Sequence, residues 1–404
     1  MFADKIYTFC LVLLLFFAST DLLAQKSKSR LEKEKNENLA KIKEAEKILS
    51  QTTTKKKATL GELKALNRQI QVRTRFIGTI SQEISMLDEE ISDKSLVVDA
   101  LQDDLKELKE EYAEMIYNAY KANRGFNKLT FLFSAKTFNQ LLLRMKYLEQ
   151  YSEARKIQVQ NIEEVSEVLT QEKIDLETKK MEQSSLLKSK LKENKDLVTV
   201  KTRKNKVFSQ LSKREKELRK ELASRKKSMD DLNTLIAEII KKEIEKTSGG
   251  KSKTKVSLTP EAALLSSSFE GNKNRLPWPV EHGFVSAKFG KHPHPVLKNI
   301  MTENPGVDIQ TEKQAEVRAV FDGEVSSVAF VPGMNTVVIV KHGDYLTLYA
   351  RLKNINPNIE RGYTIKAKES IGEVFTDNND NTEVHFEVWK NFDKLNPERW
   401  LYSK

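Results

Sequence analysis

A single cysteine, Cys10, occurs in 404 residues, so no disulfide can close within one chain and stability must come from packing. Proline is missing from most of the sequence: all nine prolines lie at Pro260 or beyond. The three tryptophans (Trp278, Trp389, Trp400) and the five histidines are likewise confined to Trp278 onward. Residues 25–248 contain only Gly61, Gly78 and Gly125 as glycines. A stretch without proline, poor in glycine and rich in Lys, Glu, Leu and Gln reads as long helix. Past the N-terminal segment no apolar run reaches the roughly 18 residues of a membrane span, and no nucleic-acid-binding motif is present, so nucleic acid is not an expected partner.

The N-terminus reads as a secretory signal. Lys5 precedes an apolar stretch, Ile6 to Ala18, of signal-peptide length. Cleavage is expected after Ala24, which removes Cys10, leaves Gln25 first and places the protein in the periplasm. An uncleaved signal would act as an inner-membrane anchor. The formal charge of +11 is uneven. Residues 25–250 carry 48 Lys and Arg against 37 Asp and Glu, whereas residues 251–404 carry 20 against 19. The basic excess is read as a solvated helical surface, with attraction to an anionic membrane or wall as the alternative.

Within 25–248 the apolar positions follow a heptad. Ile77, Ile80, Ile84, Leu87, Ile91, Val98, Leu101, Leu105, Leu108, Tyr112 and Met115 are spaced by alternating threes and fours, and only Lys94 interrupts them. The pattern stops at Ala122-Asn123-Arg124-Gly125, a helix-terminating cluster. A second helix, with Ile162, Val165, Leu169 and Leu176 in looser heptads, runs to about Lys246. The reading is an antiparallel coiled-coil hairpin over 25–248 with a helical tip near 124–147. Phe126, Phe131, Phe133, Phe138 and Leu142 at that tip either cap the hairpin or form a docking patch. A parallel dimer would satisfy the same heptads.

Residues 249–275 read as a linker with a possible short helix after Pro260. From Leu276 the period becomes two, as in Val317–Val320, Gly323–Val325, Thr336–Val340, Tyr345–Tyr349 and His385–Trp389. Residues 276–404 are therefore expected to form an all-β domain.

Three stretches of this region carry the chemistry: Asn304-Pro305-Gly306-Val307-Asp308, Tyr349-Ala350-Arg351-Leu352 and Glu383-Val384-His385. In order and spacing, with Leu276–Val280, Phe289-Gly290, Ala319–Val325, Val340–Gly343 and Asn396-Pro397, they resemble the LytM/lysostaphin-type zinc peptidases. That family has H-x-x-x-D, Y-A-H-L and H-x-H at these places, so the resemblance implies that three of four histidines are replaced. A catalytic zinc needs about three protein ligands and an open water position. Asp308 and His385 supply two, Asn304 offers an amide oxygen, and Arg351 is a fixed cation that repels a metal. The expectation is a degenerate site without metal or other cofactor and without catalytic residues. Asp308 and His385 would hydrogen-bond each other, Arg351 and Glu383 would form an ion pair, and Tyr349 would line the groove. His282 and His342 are read as structural, and His292 and His294 as turn residues.

With its signal and coiled coil, the whole chain resembles the EnvC-type murein hydrolase activators. The resemblance implies a groove made of Asn304, Asp308, Tyr349, Arg351, Glu383 and His385 that binds a periplasmic N-acetylmuramoyl-L-alanine amidase, and a coiled coil that docks on an FtsX-like membrane protein during cell division; peptidoglycan is a further possible partner. One alternative is an active zinc endopeptidase using Glu303 or Glu383; another is a purely structural envelope tether. Regulation within the chain is also open. Leu232, Leu235, Ile236, Ile239 and Ile240, or the segment Ala262 to Phe269, would fill the groove at rest, and deletion of 258–270 would then raise amidase stimulation.

Overall fold

The computed structural model describes residues 29–52, 58–123, 132–248 and 259–403. The expected signal, Phe126, Phe131 and residues 249–258 lie outside these. Long helices precede an antiparallel β domain: α1 (29–52), α2 (Leu60–Asn123), α3 (Phe138–Ser212), α4 (Glu215–Ser248) and α5 (Pro260–Gly271), then twelve strands. Among the described residues no helix is long and apolar enough to cross a membrane. The chain divides into two compact units that do not follow chain order. One contains residues 77–193. The other combines residues 32–76 with 194–404.

The first unit is a helical hairpin. Val98, Leu105, Leu169 and Leu176 are buried together, flanked by Ile91, Leu101, Ile162 and Val165. Cross-helix bonds run in opposite directions along the two helices: Asp88 with Gln183, Glu90 with Lys179, Lys94 with Glu172, Glu111 with Gln158. The helices are therefore antiparallel. The interruption at Lys94 has a local cause, because its ammonium lies 2.6 Å from Glu172 and 3.7 Å from Asp175 across the seam. At the described part of the tip Phe133, Phe138, Leu142, Met145 and Tyr147 are exposed.

The second unit centres on a sheet of order β1-β4-β11-β8-β7-β6-β9. Its strands are β1 (Phe284–Ala287), β4 (Val307–Gln310), β6 (Gly323–Val331), β7 (Asn335–His342), β8 (Tyr345–Lys353), β9 (Thr364–Ile365) and β11 (Glu383–Lys390). Strand β12 (Asp393–Leu395) pairs β11, while β10 (Ser370–Val374) pairs β5 (Glu316–Arg318) and β8. A separate hairpin joins β2 (Gly290–Pro293) to β3 (Met301–Asn304). Side chains alternate between the two faces of each strand. Val384, Phe386 and Val388 join Val307, Ile309, Val338, Val340 and Tyr349 in one core. Phe269 of α5 belongs to that core, with its ring 4.8 Å from His342 and 5.0 Å from both Tyr345 and Trp400. The segment Ala262 to Phe269 is therefore not a plug for the groove: burying an aromatic ring fixes α5 to the sheet as part of the domain core.

The opposite face is covered by helix. Leu232, Ile236, Ile239 and Ile240 of α4 pack on Val337, Ile339, Leu346, Leu348, Ala350 and Trp389. Helix α1 holds the rim beside β4: Glu44 accepts from the Gly283 amide, Gln51 from the Lys313 amide, and Lys47 pairs with Glu312 at 2.5 Å. Gln310 donates to the Thr52 hydroxyl and the Gly61 carbonyl. Nearly all of β11 is consequently buried on both sides, although its sequence alternates polar and apolar residues.

Candidate functional site

The site grows out of the β4–β11–β8 pairing. Asp308 stands opposite His385, and His385 opposite Ala350. Gly306 lets β4 reach this register, since a Cβ there would collide with the Phe386 carbonyl. Asp308, Glu383, His385 and Glu387 share the helix-covered face, and each is almost fully buried.

Their hydrogen bonds form one chain of charges. The Nδ1 atom of His385 is 2.8 Å from Asp308 Oδ1, and its Nε2 is 2.7 Å from Glu387 Oε1. The Trp389 indole N–H donates to the second Glu387 oxygen at 2.5 Å. Arg351 donates to Glu383 Oε2 at 2.8 Å, while Lys64 and the Ser286 hydroxyl both donate to Oε1 at 2.7 Å. Arg225 of α4 donates to Asp308 Oδ2 at 2.5 Å and lies 3.6 Å from Glu383. Burial by itself would raise both acids' pKa values; for Asp308 the guanidiniums of Arg225 and Arg351, with His385, reverse this and hold it well below the usual range. For Glu383 the reversal comes from Lys64, Arg225 and Arg351. Burial would lower the His385 pKa, but hydrogen bonds to Asp308 and Glu387 raise it. Each ring nitrogen faces a carboxylate oxygen, an arrangement that favours the protonated ring.

The expected Asp308–His385 and Arg351–Glu383 contacts are thus both present. Asn304 is close by but engaged in its own turn, donating to the Ala287 carbonyl at 3.3 Å and accepting from the Gly306 amide at 3.4 Å. Tyr349 does not join the groove. It is fully buried in the opposite core, where its hydroxyl accepts from the Val320 amide at 2.9 Å. Strict alternation would place Tyr349 and Arg351 on one face. A bulge separates them: three steps from Tyr349 to Leu352 on β8 oppose two from Val338 to Thr336 on β7. Arg351 absorbs the extra residue with a left-handed φ of 64°, and its side chain emerges beside Glu383. Of the other histidines, His294 Nδ1 accepts from the Val296 and Leu297 amides, a turn role, and His342 is buried between Asp322 and Thr347.

Sequence reasoning missed Arg225 and Lys64. Both lie far from the β domain in the chain and are embedded in Lys/Arg-rich helix. The available signal was indirect: Asp308, Glu383 and Glu387 on one sheet face require more cations than Arg351 provides.

A zinc ion does not fit this donor set. Around Asp308 and Glu383 the places next to the carboxylate oxygens are held by two guanidiniums and an ammonium, and the position of the first ligand is an amide. Among the described residues no group of three or more His, Cys, Asp or Glu is arranged to hold a metal ion. Asn304, Asp308, Arg351 and Glu383 line, with Lys64 and Arg225, a cavity of about 1350 Å³ between the sheet and the helices.

Residues 302–397 match the model of Peptidase family M23. The C-terminal part of the chain is thus an M23 (LytM-type) domain, and all three sequence stretches that bear the site fall within it. Solved structures similar to the chain include Helicobacter pylori Csd3, at 25% identity over 32% of this chain and 35% of that one, with a TM-score of 0.28. A zinc-containing peptidase from Vibrio cholerae is 24% identical over 32% of this chain and 40% of its own, TM-score 0.28. The catalytic domain of the prophage-encoded M23 protein EnpA from Enterococcus faecalis is 22% identical over 30% of this chain and 95% of its own, TM-score 0.27. The chain spans about a third of the length of the Csd3 structure. No curated protein matches the chain.

Proposed function

We propose that the M23 domain of this protein binds rather than cleaves. In this reading it activates a periplasmic peptidoglycan amidase of the N-acetylmuramoyl-L-alanine class during division and daughter-cell separation. The observation that carries the reading is the cation occupancy of the site: Arg225 lies 2.5 Å from Asp308, the acid retained from the ligand motif, and Arg351 and Lys64 lie within 2.8 Å of Glu383, which stands where the zinc peptidases have a histidine. Arg351 stays a cation at any physiological pH and cannot serve as the base of a hydrolytic step. The exposed Phe133, Phe138 and Leu142 of the hairpin supply an apolar patch for a membrane partner of the FtsX kind, and the N-terminal signal delivers the chain to the periplasm. Helix α4 covers the groove at rest, so the amidase gains access when α4 moves.

The test is dye release from labelled peptidoglycan by the full chain, by the cognate amidase and by both, with added zinc. Variants Leu232→Ala and Ile236→Ala, which weaken the α4 cover, are included. Release only in the mixture, increased by those variants, is the expected result. Chelator-sensitive release by the chain alone would replace the activator reading with a zinc endopeptidase.

A further inference from the structure

The sheet face beneath α4 takes one of its cations from that helix. It bears three carboxylates, on Asp308, Glu383 and Glu387, and one permanent cation of its own, Arg351; Lys64 of α2 serves Glu383 Oε1 at 2.7 Å, which leaves Asp308 Oδ2 to α4. His385 bridges Asp308 and Glu387 by hydrogen bonds. Helix α4 adds Arg225, which spans Asp308 at 2.5 Å and Glu383 at 3.6 Å.

The apolar half of the same helix follows in register. Leu232, Ile236, Ile239 and Ile240 lie seven, eleven, fourteen and fifteen residues after Arg225 and are buried against the sheet. Those steps fall on one helical stripe, about 24 Å long at 1.5 Å per residue. The groove is therefore filled by a cation at one end and an aliphatic ridge behind it.

Any segment that replaces α4 inherits this requirement. An aliphatic helix without the cation would cover Asp308 while removing its Arg225 partner, whereas Glu383 would keep Arg351 and Lys64. Burying a carboxylate that has lost its ion-pair partner is strongly unfavourable. We propose that the groove selects its partner by this pairing: an amphipathic helix with an Arg at position i and aliphatic residues at i+7, i+11 and i+14 or i+15, a copy of the α4 stripe. The inference rests on the reading that the groove receives a partner helix, and it adds the chemistry of that helix. Arg is favoured over Lys because its planar fork can reach both carboxylates.

The chain itself supplies the probe. A fluorescent peptide of residues 215–242 is titrated into the full-length chain carrying Leu232→Ala and Ile236→Ala. Weakening the resident helix is necessary because a tethered segment competes at an effective concentration in the millimolar range. Full-length Arg225→Glu, which opens the charged end and leaves the ridge intact, is a second receptor if the first does not fold. The expected result is saturable binding by the native peptide and binding weaker by about tenfold or more for the R225E peptide, about 1.4 kcal/mol. Most of that difference should vanish when the receptor also carries Asp308→Asn.

Equal binding of the two peptides would overturn the proposal, as would a difference that survives Asp308→Asn. So would failure of both peptides on a receptor whose residues 215–242 exchange amide hydrogens freely. The outcome separates from the amidase assay. A completed peptide cycle without amidase stimulation would retain the pairing rule and remove the amidase; stimulation with a failed cycle would do the reverse.

Discussion

Arg351 and Glu383 are joined at 2.8 Å across adjacent strands, with Glu383 fully buried and the Arg351 side chain 13% exposed. A β-bulge with a left-handed arginine makes the contact possible. Outside Gly, Asn and Asp such a conformation costs about 1–3 kcal/mol, so the pair must return at least that much. Removing one partner should therefore be severe. Arg351→Ala or Glu383→Ala is expected to destabilise the second unit by about 3–5 kcal/mol. The double substitution should cost less than the sum, with a coupling of about 1–3 kcal/mol. All three tryptophans lie in the β domain, so tryptophan fluorescence in urea reports on it selectively. Additive losses would show that the two side chains are not energetically linked.

His342 sets an acid limit on the same domain. It is fully buried, and burial pushes its pKa down from 6.5 to about 4 despite a favourable contact with the Asp322 carbonyl. A base whose folded pKa lies below its unfolded value binds protons more readily when unfolded. Its stabilising effect is complete above pH 6.5 and is lost as the pH falls toward 4. The shift corresponds to about 3 kcal/mol. Fluorescence-monitored denaturation between pH 7 and pH 4 should show a loss of that order in the native chain. A His342→Gln chain should lack that component.

Much of this architecture is legible in the sequence. The heptad from Ile77 to Met115 announces the hairpin, and period-two runs announce β5 to β8 and β11. Two of the predicted side-chain contacts follow from the residue types alone, since Asp308 beside His385 and Arg351 beside Glu383 are complementary. The apolar half of the groove's cover, Leu232 to Ile240, was legible as one of two candidate segments; the charged half was not. Strand β11 alternates polar and apolar residues, which ordinarily means a wet face and a dry one. Both its faces are dry because Arg225 and Lys64, from helices 83 and 319 positions away from their acids, discharge the polar one. Tyr349 was misplaced for a different reason: a bulge changes the face of a side chain without leaving a glycine to mark it. The β2–β3 hairpin was hidden by Lys-His-Pro-His-Pro, a turn-like string that forms a strand only because this hairpin stands apart from the main sheet.

The hairpin can be adjusted at one position. Lys94 occupies a seam position and is held by Glu172 and Asp175. Replacing an interior ion pair by an apolar side chain of similar size is often neutral or stabilising, and leucine would restore the heptad. Lys94→Leu is expected to leave the helical melting temperature unchanged or raise it by a few degrees. Lys94→Glu, which sets three acids together, should lower it by a comparable or larger amount. Far-ultraviolet circular dichroism of the full chain measures both; a Leu variant that melts well below the native chain would mean that the ion pair, not the seam, holds this part of the hairpin.

Helix α5 separates two accounts of the region before the β domain. Phe269 has no exposed surface and contacts the rings of His342, Tyr345 and Trp400. The preceding Ser266 hydroxyl receives the Asp344 amide at 3.2 Å. A segment so placed behaves as core. Phe269→Ala should cost about 3–5 kcal/mol, the range for truncating a buried aromatic, and deletion of 258–270 should unfold the domain instead of uncovering the groove. Leu232→Ala, Ile236→Ala and Arg225→Glu act on the opposite face. They should increase amide exchange over 215–242 while leaving the core amides of β7 and β8 protected. A Phe269→Ala chain that stays folded and stimulates the amidase as strongly as the α4 variants would return α5 to the role of plug. Exchange rising in α4 and in β7 together would instead mean that cover and sheet open as one unit, and that the groove is never exposed on a folded domain.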